Sequence, residues 1–210
     1  MNDLGNIIIE NKALEGEQLA LTDKSLHYFL GPHLTLKDCT LILKVPAQRL
    51  LFEGVQFIDC TFDVKQELKN HQQWVAASLK SCRFKGKLTG CDFGHWPEYG
   101  SDAGYQHGSI EDCDFTEAQM SFCRIMGSDP STLRFPTWPC FTVLDPIGRA
   151  AELQGLVWPG PLGTMLRDML PEHPPRTRAI TYHAPAAAKW LDTTPEAIRA
   201  VLGKVDGILY

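Results

Sequence analysis

Cysteine is the residue type with the widest chemical potential in this sequence, since thiolates bind metals and act as nucleophiles or redox groups. Six of the seven cysteines begin the same tripeptide, a cysteine, any residue and then a large apolar residue. They are Cys39, Cys60, Cys82, Cys91, Cys113 and Cys123, at successive spacings of 21, 22, 9, 22 and 10 residues. No Cys-x-x-Cys pair is present, so the pattern favours neither a zinc ribbon nor a thioredoxin-like site. Spacings near multiples of ten indicate a structural period instead.

The large apolar residues repeat at a step of five. The clearest run is Ile110, Phe115, Met120 and Ile125, in which each member follows a small residue by two positions (Gly108, Cys113, Ala118 and Cys123). Other runs with the same offset are Phe52, Phe57 and Phe62, then Leu79, Phe84, Leu88 and Phe93 with one step of four, and also Leu36 with Leu41. This step fits neither an α-helix nor an alternating strand. It predicts a square coil whose sides each point one large and one small residue inward, and it predicts that the cysteines are buried, reduced packing residues.

The tripeptides that begin at Cys91 and Cys113 resemble the consensus of the pentapeptide-repeat family, a small residue, Asp or Asn, Leu or Phe, and two polar residues. The resemblance implies a right-handed parallel quadrilateral β-helix across roughly residues 34–126. The sequence departs from the consensus at Leu34 and Leu50, which are bulky at the small position, and the step breaks in 42–49, 63–76 and 94–107. We therefore predict a mainly β fold, with an N-terminal cap and β-helix over residues 1–126.

Residues 127–210 are predicted to form a Pro-rich, partly helical C-terminal extension. No step of five continues there, and three short segments have helical patterns, at residues 161–170, 185–191 and 194–202. Thr194 is a suitable N-cap before Pro195, and Gly203 is a suitable stop. Such an extension either covers the open end of the β-helix or mediates a homodimer.

The net charge of −5 is unevenly distributed. Between Leu88 and Cys123 there is no Lys or Arg, whereas seven acids occur there: Asp92, Glu98, Asp102, Glu111, Asp112, Asp114 and Glu117. In a five-step coil the residues between the inward positions point outward, so we expect Asp92, Asp112, Asp114 and Glu117 to form an acidic, solvent-facing wall. Such a wall either attracts a basic partner or only keeps the protein solvated.

A loop at residues 94–107 interrupts the repeat within the acidic segment, and Trp96, Tyr99 and Tyr105 lie in it. Long loops with aromatic residues are frequent binding sites. The predicted binding site is Asp92, Trp96, Glu98, Tyr99, Asp102, Tyr105, Glu111, Asp112, Asp114 and Glu117. A shorter insertion at residues 66–76, with His71 and Trp74, is expected nearby. A metal site at His95, Glu98, Asp102 and His107 lacks any visible framework to orient its ligands, and we predict neither a metal nor a cofactor.

The chain has no nucleophile elbow, phosphate loop, dinucleotide fingerprint or His-Glu-x-x-His pair. Cys140, outside the repeat, is the one candidate nucleophile, so an enzyme is the least favoured class. The first prediction is a protein-binding module, most concretely an immunity or antitoxin protein that blocks a basic toxin. The alternative implied by the family resemblance is a DNA-mimicking protein that binds gyrase. No signal peptide or membrane span is evident, and we expect a cytoplasmic protein without direct nucleic-acid or membrane binding.

Overall fold

A computed structural model describes residues 5–100, 108–158 and 172–210. The chain is mainly β, and its parallel strands stack into a solenoid of about four turns. The solenoid strands are β1 (Asn6–Ile9), β2 (Ala13–Glu15), β3 (Gln18–Leu21), β4 (His27–Leu30), β5 (Thr35–Lys37), β6 (Thr40–Leu43), β7 (Leu50–Phe52), β8 (Val55–Ile58), β9 (Thr61–Lys69), β10 (Ala77–Lys80), β11 (Arg83–Thr89), β12 (Asp92–Gly94), β13 (Ser109–Glu111), β14 (Asp114–Ser121) and β15 (Cys123–Met126). Short 3₁₀ helices span Ala47–Arg49, Gln73–Ala76 and Pro130–Thr132.

Equivalent strands of successive coils pair in parallel along each side of the stack. The strand orders are β1-β4-β7, β2-β5-β8-β10-β13 and β3-β6-β9-β11-β14, and β12 pairs with β15. In the second of these sheets Leu36, Phe57, Leu79 and Ile110 are direct register partners. The predicted parallel solenoid is therefore confirmed. It begins at Asn6, well before the residue 34 that the family resemblance implied.

The five-step residues form the core of the solenoid. Ile110, Phe115, Met120 and Ile125 are all buried, and so are the small residues two positions before them. The rings of Phe62, Phe84 and Phe115 stack coil upon coil with centroid separations of 4.7 and 4.6 Å. Burial of each such side chain stabilises the fold by about 1.5–3 kcal/mol, so this column contributes a large share of the stability.

Every cysteine of the repeat follows a corner at which the backbone turns through the left-handed region. The residues at these corners are Asp38, Asp59, Ser81, Gly90, Asp112 and Phe122, with φ between 51° and 63°. Asp, Ser and Gly tolerate this conformation well. The thiol behind the corner is small enough for the inward slot, and Cys60 Sγ, for example, donates to the carbonyl oxygens of Ile58 and Leu36 at 3.3 Å. The cysteines are packing residues, as predicted.

Native thiols are expected to be inert toward a water-soluble disulfide reagent. All seven cysteines are free and buried, and burial raises the pKa of both the Cys39 and the Cys140 thiol. In a colorimetric titration at pH 8, we expect no thiol of the native protein to react quickly with the reagent. After denaturation in guanidinium, seven thiols per chain should react. Fast reaction of two or more thiols in the native protein would contradict this packing.

The segment 66–76, predicted as a short insertion, is built into the coil: the register between β9 and β11 shifts between Gly86 and Leu88, where β9 has two extra residues. His71 occupies the inward slot equivalent to Cys91 and Cys123, after a left-handed corner at Asn70. Trp74 is fully buried, and its ring contacts those of Phe52, Phe62, Phe84 and Phe93. A large indole fills the space that a Phe fills in the other coils.

The C-terminal extension closes the last coil. Its elements are β16 (Cys140–Leu144), α1 (Ala150–Gly155), β17 (Thr177–His183), α2 (Ala184–Trp190), α3 (Pro195–Leu202) and β18 (Ile208–Leu209). Strand β17 pairs antiparallel with β15, and β16 and β18 continue that sheet.

Two of the three helices predicted for the extension are confirmed within a residue or so of their ends. For α3, the Thr194 hydroxyl accepts from the Ala197 N–H at 3.2 Å, as predicted for an N-cap. The helix predicted at 161–170 lies outside the described residues. None of the helices in the described part of the chain has the length and apolar character needed to traverse a bilayer.

Candidate functional site

Three successive coils build a cleft on one side of the solenoid. Each coil contributes a left-handed corner residue and, two positions later, an outward-facing residue. The corner column is Asn70, Gly90 and Phe122, and the outward column is Gln72, Asp92 and Arg124. Backbone hydrogen bonds hold the corners in register, from Asn70 N–H to Thr89 O and from Gly90 N–H to Ser121 O, both at 2.8 Å. The side chains therefore form two parallel columns.

We call the space between these columns the corner cleft. It has a volume of about 290 Å³ and is lined by Asn70, Gln72, Gly90, Asp92, Phe122, Arg124, His173 and Ile180. Gly90 leaves the middle of the corner column without a side chain, since a Cβ there would lie 2.3 Å from Asn70 Oδ1. His173 and Ile180 come from the C-terminal extension, so both parts of the chain contribute. Burial and the charge of Arg124 lower the pKa of His173, which favours a neutral imidazole.

The floor of the corner cleft is a buried ion pair. Asp92 is only 1% exposed and accepts from Arg124 through both oxygens, Nε to Oδ1 at 2.5 Å and Nη2 to Oδ2 at 2.7 Å. Gln72 Nε2 donates a third hydrogen bond to Oδ2 at 3.2 Å. The prediction that Asp92 faces solvent is therefore wrong. The residue points outward from β12, but Arg124 on the paired strand β15 covers it.

An aromatic rim adjoins the corner cleft, formed by Trp96 and Tyr99. Both rings are half-buried and lie 5.3 Å apart, and the Arg124 guanidinium lies over the Trp96 ring at 5.4 Å. Glu98 projects beside them and accepts from Arg176 Nε at 3.0 Å. The structure thus brings together four of the predicted site residues. Asp102 and Tyr105, which were predicted to join them, lie outside the described residues.

A second hollow continues the corner cleft. It has a volume of about 340 Å³, shares Asn70 and Gln72 with the first, and reaches Tyr99 on the rim. Its other polar walls include Gln48, Lys69 and Gln73. Amide side chains carry both donors and acceptors, so the combined groove suits a polar, extended ligand segment.

The remaining predicted acids of the described chain lie on other sides of the solenoid, and three of them are paired with basic residues of neighbouring elements. Glu111 pairs with Lys80 at 3.4 Å, Glu117 with Lys85 at 3.1 Å, and Asp114 with Arg134 at 2.5 Å. Asp112 is an exposed corner residue. The predicted wall was expected to carry only acidic charge, but cations from neighbouring elements interrupt it. A role of these acids in binding stays a prediction.

Cys140 does not have the environment of a nucleophile. It is 3% exposed, its Sγ donates to the Met120 carbonyl oxygen at 3.6 Å, and burial raises the pKa of its thiol. A reactive cysteine needs accessible thiolate. As for metals, no group of three or more His, Cys, Asp and Glu side chains in the described ranges is placed to hold an ion. Two residues of the metal alternative, Asp102 and His107, fall outside those ranges.

Sequence reasoning missed Arg124, Gln72, Asn70 and His173 as site residues. A signal was available for the first two, because Gln72 and Arg124 hold the same position after the corner as Asp92 does. For His173 no signal existed, since its placement depends on how the extension packs. No known family model and no curated protein matches this chain.

Proposed function

We propose that this protein is a non-enzymatic protein-binding module. Its solenoid is a divergent pentapeptide-repeat β-helix with a right-handed coil and a square cross-section. Its most concrete form is an immunity or antitoxin protein that engages its partner through the corner cleft and the aromatic rim. The observation that carries the proposal is the arrangement of Trp96, Tyr99 and Arg124 at the mouth of a preformed cleft. Trp, Tyr and Arg are the residue types that dominate binding energy at protein interfaces.

The rigidity of the site favours recognition of a preformed partner surface. Arg124 is fixed by two hydrogen bonds to Asp92 and by the Trp96 ring, and its strand β15 is paired on both sides, with β12 and β17. A side chain that is already ordered loses little conformational entropy on binding. This arrangement supports tight association without a rearrangement of the solenoid.

The gyrase-binding alternative is less well supported. Mimicry of duplex DNA requires a continuous negative surface, and Lys80, Lys85 and Arg134 interrupt the acids on this solenoid. The cytoplasmic location and a homodimer through the extension also stay predictions. Trp190, which is 57% exposed on α2 and packs edge-on against Phe122, is the residue that would serve such a dimer contact.

Replacing both Trp96 and Tyr99 by alanine is expected to abolish capture of the partner. Loss of two aromatic anchors at an interface lowers affinity by about 30-fold or more. The measurement is affinity capture from a lysate of the native cell with immobilised wild type and variant, followed by titration of the recovered partner. If a basic partner is held by the acids, capture also weakens as salt rises.

The matched control is Ile8→Ala. Ile8 is 60% exposed on β1, at the opposite end of the stack, so its removal also deletes an exposed apolar side chain. We expect capture by this variant to equal that of the wild type. Equal capture by the Trp96 and Tyr99 double variant would show that the partner binds elsewhere, and the proposal would fail.

A further inference from the structure

We infer that the corner cleft receives an acidic side chain of the partner, an Asp or a Glu, on the guanidinium of Arg124. This inference rests on the proposed function and names the chemistry of its central contact. Arg124 lines the cleft with its side chain 19% exposed. Its Nε and Nη2 serve Asp92, whereas Nη1 makes no hydrogen bond to any residue that the structure describes. A guanidinium has five N–H donors, so three remain for a ligand.

The surroundings of Arg124 hold those donors in place. Asp92 takes the Nε edge of the guanidinium, Trp96 covers one face, and Gln72 completes the hydrogen bonding of the carboxylate. Asp92 is thus a positioning residue, and its charge lies on the edge of the guanidinium away from Nη1. A planar fork with one edge already fixed binds a second acceptor without further ordering.

The chemistry of the cleft favours a carboxylate over a cation or an apolar group. Asp92 is the one acid among its described lining residues, and that carboxylate is buried and already accepts three hydrogen bonds. The described lining of the cleft therefore offers no further negatively charged acceptor to an incoming Lys or Arg. The Asn70 amide also lines the cleft, with Oδ1 nearest to Gly90, and its side chain makes no hydrogen bond within the described residues, so its NH₂ group is available as a further donor. A volume of about 290 Å³ accommodates one acidic side chain with its backbone.

The test uses a random peptide library displayed on phage and selected on the intact protein. We expect the selected peptides to share an Asp or a Glu, and replacement of that residue by Asn or Gln to weaken binding about tenfold or more, the loss typical of a charge-assisted hydrogen bond. Arg124→Lys keeps a cation beside Asp92 but lacks the fork. Against this variant the acidic peptide and its amide counterpart should bind within about twofold of each other.

Each other outcome overturns the inference. Equal affinity of acidic and amide peptides for the wild type would do so while the proposed function stands. The inference also fails if the library yields no peptide whose binding depends on Trp96 and Tyr99. The proposed function still stands in that case, because capture from the lysate tests it separately. Displacement of the peptide by glutarate at concentrations near the Kd of the peptide would assign the cleft to a free dicarboxylate instead of a protein.

Discussion

Replacing Arg124 by alanine is expected to lower the free energy of unfolding by about 3–5 kcal/mol, the cost of leaving a buried charge without its partner. Asp92 is 1% exposed, and Arg124 supplies two of its three hydrogen bonds. Without the guanidinium the carboxylate loses its counter-charge and two of its three hydrogen bonds. Urea unfolding at pH 7, read from the shift in midpoint at constant slope, measures the loss.

A double variant distinguishes the net stabilisation that the ion pair provides from the destabilisation caused by removing only one of its partners. Replacing Asp92 by Val and Arg124 by Met together is expected to cost much less than Arg124→Ala, because no buried charge is left. The exposed pair of Lys85 and Glu117, 3.1 Å apart, is the matched control. Breaking it should change stability by no more than about 1 kcal/mol. Equal losses at the two pairs would contradict the burial of Asp92.

Acid is expected to destabilise the protein through His71. This ring is 2% exposed among the rings of Phe52 and Trp74, its Nε2 has no hydrogen-bond partner in the described structure, and burial lowers its pKa to about 3. The unfolded chain takes up a proton on this residue below about pH 6.5, whereas the folded protein excludes it until about pH 3. Stability is therefore fully present above pH 6.5 and falls by about 1.4 kcal/mol per pH unit below it, or about 2 kcal/mol by pH 5.

His71→Phe removes the titrating group and keeps an aromatic ring in the slot. The free energy of unfolding in urea, measured at pH 7.5 and at pH 5, should fall between these two pH values by about 2 kcal/mol less in the variant than in the wild type. The control is His183→Gln, which removes a half-buried histidine whose pKa is also lowered by burial. Its effect on the pH dependence should be smaller. Parallel pH profiles for wild type and His71→Phe would show that His71 has the same pKa in the folded and unfolded states and would contradict this prediction.

The inward-facing residues of the solenoid could be predicted from the sequence, because each coil repeats the same core positions. A step of five and a small residue two positions earlier identified Cys113, Phe115 and Met120 as core before any contact was known. The prediction failed at His71 and Trp74, where larger residues fill the same slots and the step is lost. Neither residue type matches the repeat, although both occupy inward positions that a Cys and a Phe occupy in other coils.

The outward half could not be predicted, because neighbours in space are one coil apart along the chain. A window such as residues 88–123 runs around the coil and samples all sides, so its acids do not share a surface. Glu111 meets Lys80, Glu117 meets Lys85 and Asp92 meets Arg124, at separations of 31 or 32 residues. Only the register between strands shows which charges compensate each other. No strands were predicted in the extension, although β16 and β17 contain several β-branched and aromatic residues.

The left-handed corner at Phe122 has a consequence for conformational strain. Asp, Ser and Gly take the corners before the other five repeat cysteines with little penalty, whereas an aromatic residue at φ 53° is held in a conformation that costs on the order of 1–3 kcal/mol. The ring offsets this cost through edge-on contacts with Tyr182 and Trp190 of the extension. Phe122 is also part of the wall of the corner cleft, so the contacts that the extension makes with its ring help to set the shape of the cleft.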